Sequence, residues 1–438
     1  MEAGRINDNE MYLTPDDGNG AGARVGDTLT TARADLDDTW LLCNGDQVSA
    51  QDYGELAKLF PSLPTDWVTK DVYGGNSRES YIKGITYANG YWVAVGQYYD
   101  GSTYHARIAY TTDPTGIWTT KDLWSSAYNG YAPECVTYAN GYWVVGGSYY
   151  DGSTTYARIA YTADTTGAWT TKELWSGTFS TVCCITYTNG YWVLGGILGG
   201  SSTYYARIAY TTDLTGTWTT KNLWSGTIAY NTCINCISYA NGYWVAGGGY
   251  YDGSFRCARI AYTTNLAGTW TTNDLWNASS GSIINCITYA NGYWVVGGGY
   301  YSSSKYNARI AYTTDPTGAW TIKDLWSNYN YENAVTGIAN CGNYWVVCSR
   351  YYSSTMYARI AYTTDITGEW TTEDLWSDGS TNDFLYCITC ADGRWVVGGG
   401  YYDGTNYYAR IAYSDSGVFV LPTISDKHTY TYIKAKEE

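Results

Sequence analysis

Histidine is nearly absent: His105 and His428 are the only two in 438 residues. That scarcity gives little support to a His-based metal site or a Ser-His-Asp triad. Basic residues are short too, with 25 Lys and Arg against 40 Asp and Glu, a formal charge of −15. A nucleic-acid binder needs a basic patch that releases counterions, so no nucleic acid is expected as a partner. Anionic membrane surfaces and polyanionic glycans are disfavoured on the same ground. No apolar run approaches the roughly 18 residues of a membrane helix, so no membrane insertion is expected. Met1 to Arg5 offers neither the basic start nor the apolar stretch of a secretion signal. Proline (7) and phenylalanine (5) are scarce, whereas tyrosine (50), glycine (50) and tryptophan (21) abound, an all-β composition.

At roughly 150 residues per domain, length alone suggests two or three domains, but internal repeats override that prior. Ala-Arg-Ile-Ala-Tyr occurs seven times, at Arg107, Arg158, Arg207, Arg259, Arg309, Arg359 and Arg410, in steps of 49 to 52 residues. A string close to Asn-Gly-Tyr-Trp-Val also occurs seven times, from Trp92 to Trp395. A third, close to Gly-x-Trp-Thr-Thr-Lys-Asp-Leu-Trp, occurs six times from Trp118 to Trp376. Its seventh copy lies upstream of everything else, at Thr65 to Tyr73, with Tyr73 replacing the second tryptophan.

Each unit reads as four short strands. Strand a is Cys-Ile-Thr-Tyr-like (Cys286 to Tyr289), followed by an Asn-Gly hairpin turn. Strand b is Tyr-Trp-Val-Val-Gly-Gly-Gly, strand c is Ala-Arg-Ile-Ala-Tyr and strand d is Trp-Thr-Thr-Lys-Asp-Leu-Trp. Four strands in about 50 residues is the arithmetic of a propeller blade. The expected fold is therefore all-β: a seven-bladed β-propeller with four strands per blade. The displaced copy predicts its closure, residues 67 to 73 supplying the outer strand of a last blade that runs from Cys387 to Tyr413.

The turn between strands c and d, Thr111-Thr112-Asp113-Pro114-Thr115-Gly116-Ile117-Trp118, resembles the Asp-box of sialidase-like propellers, with its glycine one place late. Asp113, Asp164, Asp213, Asp315 and Asp365 hold the acidic position, Asn265 replaces it once, and Asp415 sits in a shortened version. The resemblance implies a structural turn: a short carboxylate accepts backbone N–H bonds while the following tryptophan pins strand d.

In an up-and-down blade the a–b and c–d turns share one face, and the d–a and b–c connections share the other. Nearly all variation between units falls on the second face. Its b–c tips carry Tyr98 and Tyr99, Tyr149 and Tyr150, Tyr250 and Tyr251, Tyr300, and Tyr401 and Tyr402. Its d–a segments carry Tyr128, Tyr131, Phe179 and Tyr230, then Tyr329, Tyr331, Phe384 and Tyr386. For one tyrosine alone, packing between blades is the simpler explanation. As a set on one rim, these rings are expected to bind a ligand, stacking on sugar faces while their hydroxyls bond sugar hydroxyls.

The flanks break the repeat. Trp40-Leu41-Leu42-Cys43-Asn44-Gly45 precedes Ser49 and Asp52, which can cap a short helix running to about Phe60. The chain ends with Leu421-Pro422 and then Tyr430-Thr431-Tyr432-Ile433-Lys434. Together these resemble the two halves of a phage tail-collar domain, divided here by the propeller. The resemblance implies residues 1–62 and 418–438 as the collar-like host, with the propeller inserted as residues 63–417. It implies a virion tail protein, made in the host cytoplasm, with tail or baseplate proteins as partners and, by analogy, a homotrimer. Some members of that family bind metal through paired histidines; no such pair occurs here, so no metal is carried over.

Sialidases share the Asp-box propeller. Resemblance to them would require a non-repeating arginine cluster, a Tyr nucleophile with a partner Glu, and an acid Asp. The arginines are chiefly the repeated ones of strand c, with Arg78 and Arg256 as exceptions near the variable face. Glu79, Glu134, Glu332 and Asp383 are scattered, one per blade, whereas glycoside hydrolysis needs two carboxylates about 5–10 Å apart. No catalytic residues, cofactor or enzyme activity are expected on this reading. Cys135, Cys184, Cys236, Cys286 and Cys387 share one strand-a position that Gly84 and Gly337 fill elsewhere, which asks for a small residue near a crowded axis. Cys233-x-x-Cys236 and Cys387-x-x-Cys390 look like half zinc sites by coincidence. The expectation is a phage receptor-binding protein recognising a host surface glycan. A glycan-degrading tailspike and a structural decoration protein are the alternatives.

Overall fold

The computed structural model describes residues 3–7, 10–13, 28–31, 40–43, 46–49, 51–57, 62–126, 130, 132–227, 232–278, 281–302, 304–328, 333–377, 383–415, 417–421 and 430–434. Seven four-stranded antiparallel sheets follow one another as the blades of a propeller. In blade four, strands a to d are Cys233–Ala240, Tyr243–Tyr251, Arg256–Thr263 and Thr271–Ala278. Blade seven takes Phe384–Ala391, Arg394–Tyr402 and Tyr407–Ser414 from the end of the repeat and Trp67–Asn76 from its start. Trp67–Asn76 pairs with strand c of that blade, and Asp71 receives a bidentate pair of bonds from Arg410 at 2.5 and 2.9 Å. The all-β seven-bladed propeller and its closing strand are thus as expected.

The recurring residues pack either within their own blade or against the next one. Strand b is buried along nearly its whole length, and its tryptophan is fully enclosed under the strand-a tyrosine, as Trp244 is under Tyr239 at 4.8 Å. At Asn89 and Gly90 the a–b turn runs at φ 49° and 75°, the left-handed pair that a two-residue hairpin requires. A Cβ on Gly247 would sit 2.7 Å from Ile284 of the next blade and 2.9 Å from the Cys236 sulfur. The strand-b glycine and strand-a cysteine are therefore one packing unit.

The last tryptophan of strand d reaches forward. Trp124, Trp175, Trp224, Trp276 and Trp376 each donate to a strand-b carbonyl of the next blade, at 2.7–3.1 Å. Tyr73 also reaches forward across the closure, but to strand a of blade one, donating to the Tyr81 carbonyl at 3.0 Å. In the c–d turns, Asp113 accepts from the Thr115 amide at 2.9 Å, and Asn265 accepts likewise from Ala267 at 3.1 Å.

The flanking segments form their own small structure. A five-stranded sheet orders Ala3–Asn7, Glu10–Leu13, Thr28–Thr31, Tyr430–Lys434 and Trp40–Leu42. Cys43, Leu56, Phe419, Leu421 and Ile433 make its core. Ser49 Oγ accepts from the Gln51 amide at 3.2 Å ahead of a helix described over Gly54–Ala57; its expected continuation to Phe60 falls outside the described residues. The segment meets the propeller at the a–b and c–d face of blade seven, where Ser62 donates to the Gly393 carbonyl at 2.8 Å and Trp395 donates to the Ser62 carbonyl at 3.0 Å. No helix among the described residues is long and apolar enough to cross a membrane.

Candidate functional site

Every strand a is interrupted by a β-bulge at one position. The register skips between Ile82 and Gly84 in blade one, between Pro133 and Cys135 in blade two, and at the matching pair in each of the other five. A bulge leaves its extra residue without a ladder partner and re-aims the side chain, a device common beside active sites. The extra residues are Lys83, Glu134, Cys183 and Asn235 in blades one to four, and Asn285, Thr336 and Tyr386 in blades five to seven. This position holds six residue types in seven blades, whereas its neighbours on either side are far more alike. All seven side chains line one cavity of about 760 Å³ at the d–a mouth of the central channel.

The ring has two unlike halves. In blades four to six it knits the rim together. Asn235 donates to the Ile284 carbonyl at 2.9 Å, Asn285 to the Val335 carbonyl at 3.0 Å and Thr336 to the Leu385 carbonyl at 2.9 Å. Each bond reaches the residue just before the next blade's bulge. In blades seven, one and two the ring is aromatic and charged. The Lys83 ammonium lies 3.9 Å from the Tyr386 ring centroid and 3.4 Å from Glu134 Oε2. Tyr386 is buttressed by Phe384 at 4.7 Å and by Tyr81 at 5.5 Å. Burial pushes the Lys83 ammonium down, but the Glu134 carboxylate and Tyr386 outweigh it and hold the group above its ordinary value, so it stays charged. Phe179, Arg256 and Arg350 complete the mouth from neighbouring loops and strands.

The predicted tyrosines divide sharply. Tyr98, Tyr149, Tyr250, Tyr300 and Tyr401 lie under the strand-c arginine of their own blade, 3.4–3.7 Å from its guanidinium carbon. In the blades of Tyr98, Tyr250, Tyr300 and Tyr401 that arginine also forms a bidentate pair with the strand-d aspartate, Arg259 with Asp274 at 2.6 and 2.8 Å being typical. Tyr99, Tyr150, Tyr251 and Tyr402 each donate to the glycine carbonyl of their own hairpin tip, at 2.7–2.9 Å. These nine rings are thereby engaged within their blades. Of the predicted residues, Phe179, Phe384 and Tyr386 line the cavity. Tyr128, Tyr131, Tyr230, Tyr329 and Tyr331 lie outside the described residues. Sequence reading noted Glu134 and Arg256 but missed Lys83 and the bulged ring as a unit. The available signal was the one strand-a position that changes type in almost every blade.

The chain matches no family model and no curated protein. Solved structures it resembles include a phage phi92 endosialidase, at 11% identity over 83% of this chain and 70% of that one, with a TM-score of 0.46. A Trypanosoma rangeli sialidase in complex with sialic acid aligns at 10% identity over 80% of this chain, with a TM-score of 0.43. Chaetomium thermophilum Sqt1 aligns at 8% identity over 75% of this chain and 82% of that one, with a TM-score of 0.41. The chain spans 59% of the Trypanosoma sialidase's length. At this identity the likeness extends to the propeller fold and assigns neither activity nor substrate.

One expectation is corrected here. No enzyme was expected from the sequence, with a glycan-degrading tailspike kept as an alternative, because the carboxylates are scattered along the chain. Sialidases and an endosialidase are among the structures of like fold, so the architecture does not exclude hydrolysis. The physical flaw in the argument is plain in the ring: blade closure brings Tyr386 of the last blade and Glu134 of the second into one cavity.

Proposed function

We propose that the protein engages a glycan at the d–a mouth of its channel, serving a bacteriophage tail as a host-attachment protein. The observation that carries this reading is the bulged ring. Seven blades alike in most structural residues carry six residue types at the position that is freed from pairing and turned into the cavity. In the sector of Tyr386, Phe384, Lys83 and Glu134, aromatic rings stand beside a cation and a carboxylate, the combination that stacks on a sugar ring and bonds its hydroxyls.

Residues 1–62 and 418–438 serve in this reading as a tail-collar-like anchor for the propeller of residues 63–417. Attachment of the flanking segment on the a–b and c–d face of blade seven supports it, because that leaves the d–a mouth free to meet a cell surface. The test is a host-glycan array probed with the full chain, followed by analysis of the sugar recovered. Capture of a defined glycan, lost in Lys83→Ala and Tyr386→Ala, supports the reading. Intact sugar assigns recognition and shortened sugar assigns cleavage in the same mouth. No capture by an array made from the host's own glycans overturns it.

A further inference from the structure

At the junctions between blades, the residue ending strand a packs into one cluster with the strand-a tyrosine of the next blade. Ala88 meets Tyr138 in this way, Ala139 meets Tyr187, Ala240 meets Tyr289, and Ala391 meets Tyr87 across the closure. At the junction of blades six and seven both positions have changed. Cys341 stands where the alanine would be, Cys390 stands where the tyrosine would be, and the two share a cluster. The departures are complementary: a small residue grew by one sulfur just where the large one opposite it shrank. Both side chains pack against the same buried cluster at this junction, both are half-buried, and both thiols are free.

We propose that Cys341 and Cys390 are a redox latch, forming an inter-blade disulfide when the protein leaves a reducing compartment and meets a low-molecular-weight disulfide. The latch would tie blade six to blade seven, the blade whose outer strand Trp67–Asn76 comes from the opposite end of the repeat.

The chemistry balances with glutathione disulfide as oxidant. The Cys341 thiolate attacks one glutathione sulfur, the glutathione S–S bond breaks, and one glutathione thiolate leaves. Cys390 then gives up its proton and attacks Cys341 Sγ, expelling the second glutathione thiolate. Two protein thiols are oxidised, one disulfide is reduced, and the two protons end on the two glutathione thiols. Cys341 is the first nucleophile, because the neighbouring Cys390 thiol holds its own thiol below the usual value despite burial. The axial cysteines are unlike it: Cys135, Cys184, Cys236, Cys286 and Cys387 are pushed well up by burial. Within the Cys387-x-x-Cys390 motif, Cys387 donates to the Gly398 carbonyl of its own blade, while Cys390 packs in the cluster at the junction with blade six.

The test treats the folded full chain with glutathione disulfide, blocks remaining thiols, and maps peptides without reduction. The expected result is a 341–390 cross-linked peptide that dithiothreitol reverses, with two of the twelve thiols lost. In Cys390→Ser the resolving thiol is gone, so Cys341 should carry glutathione at least tenfold more than in the unaltered protein. Should that variant fail to fold, the map of the unaltered chain decides alone. Both thiols blocked as free cysteines, glutathione left on Cys341 of the unaltered chain, or a cross-link between other cysteines would overturn the proposal.

Discussion

Lys83 of the first blade sets its ammonium 3.9 Å over the ring of Tyr386 in the last, so the cation–π pair spans the seam where the ring closes. The same contact stands at the centre of the proposed glycan site. Tyr386 therefore has a different status from Tyr401, whose ring lies 3.4 Å from the Arg410 guanidinium carbon and serves the blade alone. Tyr386→Ala should weaken glycan affinity about tenfold or more, near 1.4 kcal/mol. Tyr401→Ala should leave affinity within about twofold while destabilising the fold by about 1–2 kcal/mol, from the lost cation–π contact and area. Titration calorimetry and urea unfolding on both variants separate the two roles.

Blade three departs from the pattern in a coordinated way. Leu198 stands where the stacked tyrosine would be, and Asn222 where the strand-d aspartate would be. Arg207 keeps one bond, to Asn222 Oδ1 at 2.8 Å, and burial lowers its pKa with no carboxylate to offset it. Restoring the consensus pair with Leu198→Tyr and Asn222→Asp should stabilise the protein by about 1–2 kcal/mol, read as a higher urea midpoint at unchanged slope.

Trp224 and Trp326 are the same residue in two blades, but only one has its partner. Trp224 donates to the Gly249 carbonyl at 2.8 Å, whereas the Trp326 indole N–H has no hydrogen-bond partner among the described residues. Trp224→Phe should cost about 1–2 kcal/mol more than Trp326→Phe, because only the first strands a buried carbonyl. Equal losses in urea unfolding would contradict the clasp.

The hairpin tips supply an acid-sensitive contribution. The Asp151 carboxylate accepts the Thr154 and Ser153 amides, which hold its pKa down to about 2 from 3.8. A depressed native pKa means the stabilisation is present above the unfolded value and is lost as pH falls through the native one, here between pH 3.8 and about 2. Asp151→Asn keeps an acceptor without the charge, as Asn265 does in its own turn. The variant should unfold with a shallower pH dependence across that window, measured by thermal melts, and match the parent's dependence above pH 5.

The fold was legible because packing residues recur. The 49–52-residue spacing of the strand-c arginines announced the blades, and the stray Asp71 motif announced the closure. The site was harder to read for the same reason. Tyrosine pairs such as Tyr98 and Tyr99 drew the eye as a binding surface because they repeat, yet a residue that repeats in a propeller answers a demand common to all blades. Tyr98 meets its arginine and Tyr99 its own tip. Lys83, Glu134 and Tyr386 occupy one position in each 50-residue unit, and no local sequence signal marks a bulge there. Only closure of the ring brings them together. Phe179, Phe384 and Tyr386, singled out for d–a variability, line the cavity.

The most direct measurement is an experimental structure of the full chain soaked with host oligosaccharide. The account predicts sugar density in the d–a mouth, with a pyranose ring against Tyr386 and hydroxyls within bonding distance of Lys83 and Glu134. Density on the a–b and c–d face, or confined to the b–c hairpin tips with the mouth empty, would contradict it.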